Sequence, residues 1–378
     1  MATTALGNRR GSRRIRLSLT LFRYIGLQVA SGIGIAILAL AVLALLVDAV
    51  ELLRRTGERA EAGAAIAAVM AVLHLPSLVQ KLVPFGVLFG TMYCFQRLTR
   101  TNELVAARAI GVSVWQFLLP AVSVAVLLGV FLVVAFNPLA AALSARYEQL
   151  EAAYLSARPS LISVSGGKLW LRQTDGDREI IIHAQELRRD PPVLVEVIFF
   201  FFEHEVEFTA RADAPLARLE PGRWVLIDPV VLRADGGRET PGELTVPTTL
   251  SPGRIENSFA SPQTISFWDL PEFIRSIETV GFSAREHRLH WHSMLALPLL
   301  LAAMLVVGTT FSLRLARRGK AGVMVVAGLA AGFAFYILSD VVFAIGLSGR
   351  LPIALAAWAP AGIAMLLGLA TLFHIEDG

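Results

Sequence analysis

Around residue 290 the chain reads EHRLHWH, which brings Glu286, His287, His290 and His292 close together in sequence. Three imidazoles and a carboxylate are a donor set that a divalent ion accepts. A helix, however, turns about 100° per residue, so it would not point all three rings at one ion. Histidine and tryptophan just ahead of an apolar run are also ordinary interfacial residues, and no metal site is expected. A second candidate is the adjacent pair Arg54 and Arg55, whose guanidiniums match phosphate geometry. Glu51, Glu58 and Glu61 stand near them as alternative, purely local partners. Asp48 and Asp340 close or interrupt apolar runs near their outer ends, where a carboxylate reads as interfacial rather than as a deep proton site.

The motifs of self-contained catalysis are missing from the sequence. There is no G-x-x-x-x-G-K-[ST] loop, no G-x-S-x-G elbow, no H-E-x-x-H and no paired-cysteine motif. "SGGKL" at Ser165 to Leu169 only resembles a phosphate loop, because the first glycine is not at the required spacing. Cys94 is the single cysteine, so no intramolecular disulfide forms. If this chain uses ATP, another protein must hydrolyse it.

The elements that would position these residues belong to a membrane protein. Of 378 residues, 55% are hydrophobic and only 17% charged, with a formal net charge of +4, which gives nucleic acid no footprint to bind. A span needs about 20 apolar residues. Five runs meet this: Ile25 to Val47, Val114 to Phe136, Met294 to Leu313, Ala321 to Leu347 and Leu351 to Phe373. The first is too long for a signal peptide and is read as retained. A sixth run, Ala62 to Phe95, contains Pro76, Lys81 and Pro84. It is expected to be one kinked span from about Pro76, preceded by a short surface helix, with Lys81 snorkelling to the outer interface. With six spans, the basic residues at Arg9 to Arg16, at Arg97, Arg100 and Arg108, and at Arg314 to Lys320 share one side. That side is cytoplasmic, with both termini on it.

The segment from about 137 to 292 then lies outside, and it reads differently. Alternating stretches such as GKLWLR, REIIIHAQEL and HEVEFTARAD are separated by turn signals such as TDGD, RRDPP and EPGR. They predict short antiparallel strands in a sandwich or jelly roll. Val193 to Phe202 is too short to span a bilayer and is read as a strand apolar on both faces, central to a core or lining an apolar groove. Residues 1–136 therefore hold the first three spans, 137–292 the outer β-domain with flanking helices, and 293–378 the last three spans.

Between the second and third spans lies RTNELVAARAIGVS, Arg100 to Ser113. As a helix over about 98–111 it would place Leu104, Val105 and Ala109 on an apolar stripe, with Glu103 and Arg108 as possible partners and Gly111 as a stop. A short charged peg on the cytoplasmic face suits the groove of a soluble partner.

Together with "LFRYIGLQ", "LVDAVELLRR" and "AGFAFYILSDV", this stretch, in this order and spacing, resembles the LptF/LptG permeases of the lipopolysaccharide exporter over nearly the whole chain. The closing "WAPAGIAMLLGLATLFHIEDG" is more similar to the LptG branch. The resemblance implies six transmembrane helices plus an extracytoplasmic antiparallel β-jelly-roll domain, in the bacterial inner membrane. It implies an LptB-type ATPase dimer that supplies ATP and magnesium chemistry, since this chain holds no cofactor. It further implies an LptF-type second permease, an LptC-type bitopic protein and lipopolysaccharide as cargo. Glu103 matches the acidic residue of the family's coupling helix, with Arg100, Leu104 and Arg108 around it. Arg54 and Arg55 match a basic pair that is commonly lysine. Asp48 joins them at the head-group end of the lipid path, and Phe199 and Phe201 are expected on its apolar side. Two other classes remain: a membrane scaffold that recruits proteins through the β-domain, and a metal-dependent enzyme built on the histidine cluster.

Overall fold

In hydrocarbon every backbone N–H and C=O must find a partner within the protein, so a span is a helix. The computed structural model describes residues 19–57, 63–109, 111–155, 162–165, 168–175, 178–188, 193–203, 207–248, 260–279, 282–316 and 321–377. The helices are α1 (Leu19–Gly57), α2 (Ala64–Arg100), α3 (Glu103–Ala109), α4 (Val114–Phe131), α5 (Asn137–Tyr154), α6 (Leu270–Thr279), α7 (Arg285–Ala316), α8 (Ala321–Leu347) and α9 (Ile353–Asp377). A π-helical turn, Leu132–Phe136, joins α4 to α5 without a break. Among the described residues, six helical stretches are long and apolar enough to cross a membrane, which makes this a multi-pass membrane protein. The arginines at 9 to 16 and the basic residues at 317 to 320 lie outside the described residues.

The expected break ahead of Pro76 does not occur. α2 is a single helix of 37 residues that carries both Pro76 and Pro84 in its interior. Each proline removes one helical hydrogen bond, but a helix packed on several sides continues through it because its neighbours hold it. Val83, Gly86, Val87, Leu88 and Gly90 are all buried around Pro84.

That packing rests on close backbone approach. A Cβ on Gly90 would stand 2.5 Å from Ile33 Cα and 2.7 Å from Gly32 O, so α1 and α2 touch main chain to main chain. A Cβ on Gly129 of α4 would meet Pro298 Cα of α7 at 2.5 Å. Small residues at such crossings let van der Waals contact replace the hydrophobic drive that lipid does not supply. Around them Val29, Ile33, Leu88, Phe95, Phe117 and Leu305 form one core, with Phe95 and Phe117 tilted at 5.9 Å.

The outer domain is one antiparallel sheet of nine strands: β1 (Ile162–Ser165), β2 (Lys168–Asp175), β3 (Arg178–Arg188), β4 (Val193–Glu203), β5 (Glu207–Glu220), β6 (Arg223–Ile227), β7 (Val230–Arg233), β8 (Arg238–Glu239) and β9 (Glu243–Pro247). Its path runs β1-β2-β3-β4-β5-β6-β9, and it forks at β5, whose far half pairs with β7 while β7 pairs with β8. In β4, Glu196 has φ of +48° and is passed over by the pairing on both sides, with the register the same before and after it, while a register shift in the β4–β5 ladder lies between Phe201 and Phe202. Across this irregular residue the buried side passes from Leu194 to Val197 and Phe199. Helix α6 closes the core: its Ile274 and Ile277, one turn apart, pack with Phe199 and Trp224 in the same cluster.

Replacing Gly90 by alanine should push α1 from α2 and cost about 1–3 kcal/mol. The loss should appear as a lower midpoint in thermal unfolding in detergent. Gly34→Ala, where nothing lies within 4 Å, should leave the midpoint unchanged. An unchanged midpoint for Gly90→Ala would show that these backbones are not in contact.

Candidate functional site

The short helix α3 is bracketed by two left-handed residues, Asn102 (φ +60°) and Gly111 (φ +90°). Asparagine and glycine tolerate this region, so the chain turns sharply out of α2 and sharply into α4. Leu104 is only 8% exposed and joins the transmembrane core beside Leu98 and Val112. Val105 is 56% exposed, and Ala106 and Ala109 are exposed with it. The expected stripe is therefore divided: Leu104 anchors the helix, and the face offered outward is Val105, Ala106 and Ala109. A seven-residue helix gains little from propensity, so one buried leucine and its ends must fix it.

Glu103 supplies the second tie. The Tyr24 hydroxyl, near the foot of α1, donates to Glu103 Oε2 at 2.7 Å, and the Thr101 hydroxyl donates to Oε1 at 2.8 Å. These hydrogen bonds, Tyr24 first, hold the Glu103 carboxyl below the usual carboxylate range, so it is ionised at neutral pH. Arg97 and Arg100 are exposed around it, and Arg108 is half-buried.

At the other end of α1 the polar residues are also tied. Asp48 Oδ1 lies 3.0 Å from His74 Nδ1 of α2, and the His74 ring stacks on Tyr147 of α5 at 4.5 Å. Arg55 pairs with Glu151 of α5 at 2.8 Å, and its side chain is 38% exposed. Arg54 pairs one turn back with Glu51 at 2.8 Å and is 67% exposed. The basic pair thus separates into a structural member, Arg55, and an accessible member, Arg54. Glu58 and Glu61 lie outside the described residues.

The remaining candidates are dispersed. Phe199 is fully buried in the sheet core, edge-on to Trp224 at 6.3 Å, and Phe201 is half-buried against it. Phe199 is enclosed in that core, so it faces no open path. The outward side of β4 instead carries half-buried Ile198, Phe200 and Phe202, with Arg211 5.6 Å over the Phe200 ring. The three histidines of α7 diverge: His287 sits 3.0 Å from Ala260 O, His292 lies against Trp291, and His290 lines a separate cavity. Among the described residues no group of three metal-ligating side chains forms. Asp340 is exposed on α8, hydrogen-bonded to Tyr336 one turn earlier.

Tyr24, His74, Tyr147 and Glu151 were not singled out from the sequence. Each is an ordinary interfacial residue whose role comes from a partner far along the chain. Only Tyr24 carried a local sign, an aromatic hydroxyl within "LFRYIGLQ" at the head of an apolar run.

Residues 23–374 match the family model described as lipopolysaccharide export system permease LptF/LptG. The lipopolysaccharide export system permease protein LptG of Escherichia coli (strain K12) is 25% identical over 353 residues, covering 92% of this chain and 96% of that protein. The LptG protein of Haemophilus influenzae is 20% identical over 327 residues, covering 85% and 89%. With six apolar helical stretches, an antiparallel sheet between the third and fourth, and a family match from end to end, the chain belongs to the LptF/LptG family of lipopolysaccharide export permeases.

Proposed function

We propose that this chain is the membrane subunit of an ATP-driven extractor of lipopolysaccharide, moved by a separate ATPase that docks on α3. The observation that carries this reading is the bond from Tyr24 to Glu103, which joins the cytoplasmic peg to the foot of α1. A force on the exposed face of α3 reaches the membrane by two routes. Leu104 passes it into the core of α2, α4 and α7, and Glu103 passes it to α1. α1 is the helix with the most to respond with, since its apolar length is largely exposed and its outer end carries Arg54.

In this reading the chain has no catalytic residue and holds no cofactor. ATP and magnesium belong to an LptB-type ATPase dimer. An LptF-type permease covers the exposed faces of α1 and α8 and completes the lipid cavity. The β-domain hands lipid to an LptC-type protein. The protein sits in the bacterial inner membrane with both termini cytoplasmic and the β-domain in the periplasm, the orientation favoured by Arg97, Arg100 and Arg108. Arg54 meets a lipid phosphate, Asp48 and Arg55 hold the helices beneath it, and the acyl chains pass the outward side of β4.

Glu103→Lys should abolish lipid export while leaving membrane insertion intact, because it removes an acceptor of two hydrogen bonds and inverts the charge. The check is co-purification of the ATPase together with lipid release from vesicles; assembly and export at normal levels would end the coupling reading. Tyr24→Phe is milder. It removes about 1 kcal/mol of linkage, so lipid released per ATP should fall about fivefold while the ATPase still co-purifies.

The two arginines should separate. Arg54→Ala should weaken photocrosslinking to lipopolysaccharide from neighbouring positions without lowering the thermal midpoint. Arg55→Ala should lower the midpoint, at a cost of about 1 kcal/mol or less after solvent screening of the half-exposed pair.

A further inference from the structure

Three of the spanning helices lose their regularity at the same level. Pro84 deprives the Gln80 carbonyl of its helical partner, and Pro298 does the same to Met294. The π turn between α4 and α5 begins at Leu132. Gln80, Met294 and Leu132 all line one cavity of about 240 Å³, enclosed by α2, α7 and the π turn. Irregular backbone at membrane depth is tolerated where it is buried in protein or lines a polar cavity, and π turns gather at functional sites.

The depth of this cavity can be placed. Lys81, on its wall, stands 16 residues above Arg97 on α2, about 24 Å at 1.5 Å per residue. Measured against a hydrocarbon core of about 30 Å, that is the outer-leaflet interface. The lining contains no aspartate or glutamate, so Lys81 makes it net positive. Among the described residues no carboxylate lies within ion-pair distance of Lys81, whose side chain is exposed. At the interface an exposed ammonium is kept without a counter-charge at little cost, and here it stands on the wall of this cavity.

The other polar groups favour an acceptor-rich guest. His290 Nε2 is enclosed and has no hydrogen-bond partner among the described residues. Asn137 is 2% exposed, and its Oδ1 already accepts from Phe267 N at 2.7 Å, which leaves its amide protons as donors. Gln80 and Gln263 add two further amides. One ammonium, an imidazole and several amides around a small volume suit a compact anion with several oxygens.

We propose that this cavity binds a single phosphate group at the outer interface, with Lys81 supplying the charge and His290 and Asn137 the hydrogen bonds. No residue of α1 lines it, so it is separate from Arg54 and stands independently of the function proposed above. The phosphate belongs either to an outer-leaflet lipid or to the free ion.

Native mass spectrometry of the full chain in maltoside detergent tests this, with phosphatidylglycerol as probe and diacylglycerol of the same chains as the phosphate-free control. The wild type should retain phosphatidylglycerol over diacylglycerol. Lys81→Met should lower that retention roughly tenfold, the size of one charge-assisted hydrogen bond, and Lys81→Arg should restore most of it. His290→Ala gives a second reading that leaves the charge in place, and a several-fold loss is expected. Displacement of phosphatidylglycerol by millimolar inorganic phosphate would support the site with the free ion as its source; resistance to displacement would support it with the lipid. Equal retention by the wild type, Lys81→Met and His290→Ala, in preparations that elute alike, would overturn the proposal. So would retention of diacylglycerol as strong as that of phosphatidylglycerol.

Discussion

Lipid tails are as apolar as leucine, so burying a leucine between two helices in a bilayer gains little that the lipid did not already give. What holds the helices of this protein together is the close approach of backbones, and α2 is where it happens. Gly90 meets Gly32 and Ile33 of α1, while Leu88 O lies where a side chain on Gly308 of α7 would stand, 2.8 Å away. Gly129 meets Pro298 on the far side of α7. A frame of α2, α4 and α7 follows from these contacts, and the prolines inside α2 and α7 are tolerated because the frame holds them. The helices outside the frame are left with apolar surface to spare. α1 exposes Leu38, Leu46, Val47 and Val50, and α8 exposes Val326, Leu329, Phe333 and Ile337. These are the faces a second subunit or the bilayer must cover.

The outer domain obeys the opposite rule, because water surrounds it. Its core of Leu171, Ile182, Phe199, Trp224 and Leu226 is fully or almost fully buried, in the manner of a soluble sheet capped by an amphipathic helix. Yet β4 has no polar face. Opposite the core it shows Ile198, Phe200 and Phe202, which the sheet half-covers. A soluble sheet gains nothing from such a side, and it is the side along which the proposed function has the acyl chains pass. The fork at β5 adds to this, since β6 and β7 lie end to end along one edge of the same long strand, and the sheet can splay between them.

Six spans, an antiparallel sheet between the third and fourth, and a short charged helix between the second and third were legible because they rest on length, period and charge, all local properties of a chain. The unbroken α2 was not legible, since proline weighs against a helix locally and only tertiary packing overrides it. Leu104 looked like part of a docking stripe, and its burial depended on Leu98 and Val112 arriving from two other segments. Phe199 was misplaced for a subtler reason. One residue with a positive φ, Glu196, interrupts the alternation while the strand register stays the same on either side of it, and nothing in "VLVEVIFFFF" marks that residue. The polar ties were invisible from local pattern, because Tyr24 and Glu103 are 79 residues apart and Arg55 and Glu151 are 96 apart.

Those ties give α1 its mechanical character. At the foot it is held by one hydrogen bond to an exposed carboxylate. At the top it is held by Asp48 to His74 and by Arg55 to Glu151, all of them partly buried. The lower tie is the more exposed of the two, and the upper ties are only partly so. Between the ends, α1 lies along α2, with close backbone approaches where Gly90 meets Gly32 and Gly86 meets Ile37, and with Leu52 packed on Ala67 and Met70 further up. Gly32 lies eight residues above Tyr24 and 22 below Arg54, about 12 Å and 33 Å along the axis. Most of α1 therefore lies above Gly32, and what holds the far end of that longer arm is the pair of ties at Asp48 and Arg55.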